Sequence, residues 1–118
     1  MAAIVKQDIE INQGEDWSWQ WVVKDPVTGV PMDISAWTGK GQIRIRPGAA
    51  ELLYEWNTTA SNMVLGVDGT VKITVPKTVS TAWIWGGLDA RYDIELTGGG
   101  KTVRLAEGIV TLSPEVTV

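Results

Sequence analysis

The sequence predicts an all-β fold, an antiparallel two-layer sandwich of about seven or eight short strands with one short helical turn near residues 77–83. Three observations carry that prediction. Apolar and polar residues alternate at period two in segment after segment, as strands with one buried face require. Turn-forming residues punctuate the chain at intervals of roughly ten residues. The stretch from Tyr92 to Thr117 reads as two alternating strands joined by a glycine turn. In Tyr92-Asp93-Ile94-Glu95-Leu96 apolar and acidic residues alternate, and Gly98-Gly99-Gly100 then supplies positive φ for the reversal. Val103, Leu105, Val110 and Leu112 continue the apolar set on the returning strand, and a slip in their spacing near Glu107-Gly108 predicts a β-bulge there.

Taken in order, residues 4–12 carry Ile9 and Ile11 between Asp8, Glu10 and Asn12, a short strand closed by Gly14. Residues 16–24 form the next strand, with Trp17, Trp19 and Trp21 on one face and Ser18, Gln20 and Val22 on the other. Asp25-Pro26-Val27-Thr28-Gly29 is a turn, because proline presets φ and glycine relieves the exit. A linking segment through Pro31, Met32, Asp33 and Ile34 leads to Trp37. Residues 40–46 oppose Ile43 and Ile45 to Gln42, Arg44 and Arg46, predicting a strand with a solvated basic face that ends at Pro47-Gly48. Leu52 to Trp56 is a further strand, followed by a polar corner at Asn57-Thr58-Thr59 and an apolar piece, Met63-Val64-Leu65. Asp68-Gly69 turns the chain into Val71, Ile73 and Val75, with Thr70, Lys72 and Thr74 outward and Pro76 as the stop. The helical turn over 77–83 has Thr78 or Ser80 as its expected cap and is broken by Gly86-Gly87. An apolar residue two positions after Tyr92, as at a tyrosine corner, points to an immunoglobulin-like version of the sandwich.

At 118 residues the chain suits one domain spanning 1–118 with a sizeable core. Its 44% hydrophobic content and mean hydropathy of +0.02 belong to a globular protein, and no apolar run approaches the roughly 18 residues that cross a bilayer. The amino terminus lacks the pattern of a secretory leader, so synthesis in a cytoplasm and no membrane insertion are expected. With no cysteine there are no disulfides, thiolate nucleophiles or sulfur-ligated zinc. With no histidine the commonest general base and metal ligand is missing. The expectation is a protein that is not an enzyme and has no catalytic, metal or cofactor-binding residues and no cofactors. Ten scattered basic against fourteen acidic residues give a net charge of −4, unsuited to phosphate neutralisation, so nucleic acid is not an expected partner.

Seven tryptophans and no phenylalanine make up the main compositional oddity. Trp17, Trp19 and Trp21 suit a flat stacking face for a sugar, or equally the bulk of a core and its contacts. Trp83-Ile84-Trp85-Gly86-Gly87 places apolar bulk beside a glycine pair in a loop. Trp83, Ile84 and Trp85 are therefore the candidate protein interface, with partial exposure expected; the alternative is a loop folded over the open end of the sandwich. The carboxylates Asp8, Glu10, Glu15, Asp16, Asp89, Asp93 and Glu95 show neither glycosidase pairing nor calcium-loop spacing, and Asp93 and Glu95 read as a solvated outer face. Gly98-Gly99-Gly100-Lys101-Thr102 joins two strands and opens no helix, so it reads as a hairpin turn and not as a phosphate loop.

Residues 8–16 (Asp8-Ile9-Glu10-Ile11-Asn12-Gln13-Gly14-Glu15-Asp16), residues 32–39 with Gln42-Ile43-Arg44, and Tyr92 to Thr117 together resemble small virion proteins of tailed bacteriophages. The resemblance is to immunoglobulin-like modules of tail, baseplate and fibre-adaptor components, including the amino-terminal domain of upper baseplate proteins. It implies a structural role through assembly contacts with other phage virion proteins, in multiple copies of a symmetric assembly, and localisation in the virion. Such adaptors usually continue into further fibre domains, whereas this chain ends at Val118, so a standalone subunit or a head (capsid) decoration protein of the same fold is also expected. A carbohydrate-binding module for a host surface glycan is the alternative that the tryptophans allow. Met1 to Lys6 and Pro114 to Val118 are expected to serve as arms whose removal leaves the domain folded but weakens incorporation.

Overall fold

The computed structural model describes residues 5–25, 27–45, 51–85 and 89–114. In chain order the elements are β1 (Val5–Lys6), β2 (Ile9–Asn12), β3 (Trp17–Val22), β4 (Thr38–Arg44), β5 (Leu52–Asn57), β6 (Met63–Leu65), β7 (Thr70–Val75), α1 (Lys77–Ser80), β8 (Asp89–Gly98) and β9 (Lys101–Ser113). They form two sheets. One runs β1-β9-β8-β4-β5, with β2 also on β9; the other runs β3-β7-β6. The order β9-β8-β4-β5 is that of the G, F, C and C′ strands of an immunoglobulin variable-type domain, and β3-β7-β6 that of B, E and D. The fold is an all-β sandwich, as the alternation predicts, and its strand order makes it immunoglobulin-like.

The sheets are not wholly antiparallel. β1 and β2 pair with β9 in parallel, Val5 opposite Ala106 and Ile9 opposite Val110. No hairpin constrains their direction, because β9 lies at the far end of the chain. The amino-terminal segment is accordingly no free arm from Val5 onward: Gln7 N–H donates to the Glu107 carbonyl at 3.0 Å, and Ile109 N–H to Asp8 Oδ1 at 2.9 Å. Residues 1–4 and 115–118 lie outside the described residues, as do Pro26, Arg46, Pro47, Gly48, Gly86, Gly87 and Leu88.

The hairpin from β8 to β9 has the expected turn, with positive φ at Gly99 and Gly100, but Gly98 belongs to β8. Gly98 has a packing reason: a Cβ there would lie 2.1 Å from the Trp37 indole. The bulge sits two residues before the predicted place. Ile94 faces Ala106 and Glu95 faces Arg104, so Leu105 is the extra residue, and both Leu105 and Ala106 turn into the core. Gly108 instead admits the passing amino-terminal strand, since a Cβ there would meet the Gln7 carbonyl oxygen at 2.2 Å.

The core is built around Trp56, which is fully buried and donates its indole N–H to the Thr74 carbonyl at 2.9 Å. Gly39 and Gly41 face inward on β4, and Gly41 makes room for it: a Cβ on Gly41 would crowd Ile94 at 2.4 Å and Trp56 at 3.1 Å, while one on Gly39 would strike Met63 at 2.4 Å. Tyr92 is buried and stacks on Trp21, centroids 6.3 Å apart. Its hydroxyl donates to the Gln7 carbonyl across the sheet, so this tyrosine ties down the amino-terminal strand and does not form a tyrosine corner. The expected basic face of β4 is half-buried, because β4 is central: Arg44 donates to Gln42 Oε1 at 3.0 Å, and Gln42 to Glu55 Oε1 at 2.8 Å. The helical turn is limited to Lys77–Ser80, with Pro76 at its N-cap. Neither Thr78 nor Ser80 caps it; Asp16, just before β3, accepts the Lys77 N–H at 2.9 Å.

Candidate interaction site

Residues 81–85 follow the helical turn and run against the turn between β2 and β3 and the side of β5. The 2–3 corner holds them in place. Gln13 Nε2 donates to the Trp83 carbonyl at 2.9 Å and the Thr81 carbonyl at 3.3 Å, and Gly14 N–H donates to the buried Ser80 Oγ at 3.0 Å. Trp83 packs edge-on against Tyr54, centroids 5.8 Å apart, and tilts against Trp85 at 5.2 Å. Tyr54 in turn meets Trp56 edge-on at 5.7 Å, so the loop is continuous with the core aromatics. Trp85 is buried, Trp83 half-buried, and Ile84 between them is 98% exposed. Two adjacent anchors driven inward leave the residue between them only the outward direction. The geometry is an aromatic clamp that presents one aliphatic side chain to solvent. The participation of Tyr54 and Gln13 is a feature that sequence reasoning missed, since Tyr54 comes from β5 and Gln13 from the turn between β2 and β3.

The other tryptophan set is distributed differently. Trp17, Trp19 and Trp21 share one face of β3, opposite the buried Val75, Ile73 and Val71. Trp21 is buried against Tyr92, and Trp17 is half-buried 6.4 Å from Trp56. Trp19 is the most open of the three, at 38%. The indole N–H groups of Trp21 and Trp85 are buried with no hydrogen-bond partner among the described residues.

The carboxylates do structural work at separate places. Asp8 and Asp16 accept backbone N–H groups, Glu15 accepts from Asn12 Nδ2 at 3.2 Å, and Asp89 from Thr111 Oγ1 at 3.1 Å. Among the described residues no group of three or more acidic side chains is disposed to hold a metal ion. Asp93 is not on a fully solvated face: it is half-buried on the central strand β8, where burial and the nearby Glu95 raise its pKa, partly offset by Arg104 at 3.9 Å. An open recess of about 240 Å³ lies beside β6, lined by Ser35, Trp37, Thr58, Ser61, Met63, Val64 and Leu65, with no charged group among them. No helix among the described residues is long and apolar enough to cross a membrane.

No family model matches the chain, and no curated protein matches it. Among solved structures it is similar to the N-terminal domain of phage TP901-1 ORF48, with a TM-score of 0.41 at 16% identity over 94% of this chain and 85% of that one. It is also similar to an extracellular fragment of novel immune-type receptor 11 from Ictalurus punctatus, with a TM-score of 0.40 at 10% identity over 100% of this chain and 90% of that one. Both overlaps are loose; the strand order and register carry the fold assignment.

Proposed function

We propose that the chain is a non-enzymatic structural subunit of a tailed-phage virion, a tail, baseplate or fibre-attachment component that works through protein contacts in several copies. The observation that carries this reading is Ile84, held 98% exposed between two aromatic residues that are themselves packed into the sandwich. An apolar side chain on a flexible loop offers little binding energy, because ordering the loop on contact costs conformational entropy. Here the surrounding backbone is already fixed by Gln13 and Ser80. Such pre-set apolar anchors suit a contact with a pocket on a neighbouring subunit. The resemblance of residues 8–16, 32–39 with 42–44, and 92–117 to small virion proteins supports the particle setting.

Mass spectrometry of particles purified from the phage that encodes the chain, combined with amine cross-linking, tests the proposal. The chain is expected in the particles, with Lys77, close in sequence to the aromatic clamp on the exposed surface, linked to a tail or baseplate protein. Links to the major head protein would instead favour a decoration role. Absence of the chain from particles would overturn the assembly reading.

A further inference from the structure

Four strand edges of the sandwich have no neighbour among the described residues, and three of them are poor templates for another strand. β6 is only three residues long. β5 is irregular where Ile43 faces Tyr54 but Arg44 faces Leu52, which leaves Leu53 as an extra residue. The edge formed by β1 and β2 is interrupted at Gln7-Asp8 and carries Asp8 and Glu10. β3 differs from all of these. It runs six residues in unbroken register against β7, contains no charge, proline or bulge, and leaves Trp19 at 38% and Val22 at 46% exposure. Natural sheets usually blunt such an edge, because its open N–H and C=O groups accept another strand.

The register shows which groups are open. Val23 N–H donates to the Gly69 carbonyl at 2.8 Å, on the β7 side. Hydrogen-bonded and non-bonded pairs alternate along an antiparallel ladder, so Trp17, Trp19 and Trp21 are the residues bonded to Val75, Ile73 and Val71. The main-chain groups of Ser18, Gln20 and Val22 therefore point to the free edge. Charge then selects the occupant. The strand is preceded by the exposed Glu15 and Asp16 and followed by the exposed Lys24 and then by the half-buried Asp25, whose carboxylate is turned into its own loop to accept the Val27 and Thr28 N–H groups. Antiparallel pairing with the same strand sets Asp16, next to the strand's start, against Lys24, next to its end, with Asp25 engaged in its own turn, whereas parallel pairing sets like against like.

We propose that β3 is a homotypic docking edge, pairing antiparallel with β3 of a second copy of this chain about a two-fold axis at Gln20. In that register Gln20 faces Gln20 of the second copy, Ser18 faces Val22, and Asp16 faces Lys24; Glu15 and Asp25 also come opposite, but each carboxylate is already held in its own turn, Glu15 by Asn12 and Asp25 by the Val27 and Thr28 N–H groups. Every open main-chain group of Ser18, Gln20 and Val22 finds a partner, the inner faces of both three-stranded sheets stay on one side, and Trp19 stands opposite Trp21 of the other copy. This inference deepens the assembly reading by naming one partner, and it is independent of which part of the particle the chain builds.

The test is the mass of the purified full chain in solution, read by light scattering and sedimentation across a dilution series. The expected result is a reversible dimer at twice the 12.8 kDa chain mass. Gln20→Pro removes an outward N–H at an edge position that tolerates proline, and should abolish the dimer. Lys24→Glu, at an exposed site beyond the strand, sets acid against acid twice and should weaken the dimer about tenfold, while Lys72→Glu, the same charge change on the neighbouring strand, should leave it intact. Circular dichroism confirms that each variant keeps its sheet content. A wild-type chain that is monomeric throughout overturns the proposal even if particles still contain it, and so does a dimer that Lys24→Glu leaves as tight as Lys72→Glu does. Absence of the chain from particles bears on the assembly reading and leaves this measurement standing.

Discussion

Two buried indoles at the centre of the sandwich differ in one atom's surroundings. Trp56 donates its N–H to the Thr74 carbonyl at 2.9 Å, whereas the N–H of Trp21 is buried with no partner among the described residues. Phenylalanine removes the donor in both cases and a similar amount of ring. A buried acceptor left unpaired costs more than a donor that had no partner, so Trp56→Phe is expected to destabilise by about 1–2 kcal/mol more than Trp21→Phe. Urea unfolding of the two variants measures the difference, and equal costs would show that the Trp56 hydrogen bond contributes nothing net. Asp93 gives a pH signature. Burial, then Glu95 and Glu107, hold its pKa above the usual 3.8, against the pull of Arg104 and Arg44. Below the usual carboxylate range both folded and unfolded chains carry the proton and no penalty exists. As pH rises through that range towards the raised folded value, the unfolded chain ionises first and the folded state loses stability, the full penalty being present at neutral pH. Asp93→Asn is therefore expected to raise the melting temperature slightly at pH 7 and to lose that advantage below about pH 4. A pH-independent difference in melting scans would contradict it.

The amino-terminal strands show how a distant contact dictates a local residue. Gly108 lies where the Gln7 main chain crosses β9, and a methyl group there would sit 2.2 Å from the Gln7 carbonyl oxygen and 3.0 Å from Asp8 Oδ1. Backbone yields less readily than a side chain, so Gly108→Ala is expected to cost about 1–3 kcal/mol and to loosen β1 and β2 first. Faster amide exchange at Ile9 and Ile11, with the β3–β7 ladder unchanged, is the expected pattern; uniform exchange across both sheets would contradict the local account. Sequence periodicity located β3, β5, β6, β7 and the β8–β9 hairpin, because each carries an apolar set at period two or lies beside a glycine turn, signals that are local even where the partner strand, as for β3 and β7, is about fifty residues away. The parallel pairing of β1 and β2 was not legible, since their partner lies about a hundred residues on and no turn connects them. The bulge was misplaced for the same reason: Gly108 looked like the irregularity but answers to Gln7, while the extra residue, Leu105, hides in an ordinary apolar pattern. The cap of α1 comes from Asp16 and not from its own first turn, which no local reading of 77–83 reveals.

At the scale of the molecule, two packed sheets leave the chain with a well-filled interior and a few distinctive surfaces. The segment Trp83-Ile84-Trp85 stood out in the sequence, but its division into two inward anchors and one outward residue depends on Tyr54 and Gln13, supplied by β5 and by the turn between β2 and β3. The outward residue is the one that an assembly role requires. Particle occupancy of an Ile84→Asp chain tests the account most directly. The substitution touches a side chain that is 98% exposed, so circular dichroism and melting should match the wild type. The expected result is a folded chain whose copy number in purified particles falls at least tenfold, as loss of a central apolar anchor worth roughly 1.4 kcal/mol or more requires. Undiminished occupancy of the folded variant would contradict the claim that this loop joins the protein to its neighbours.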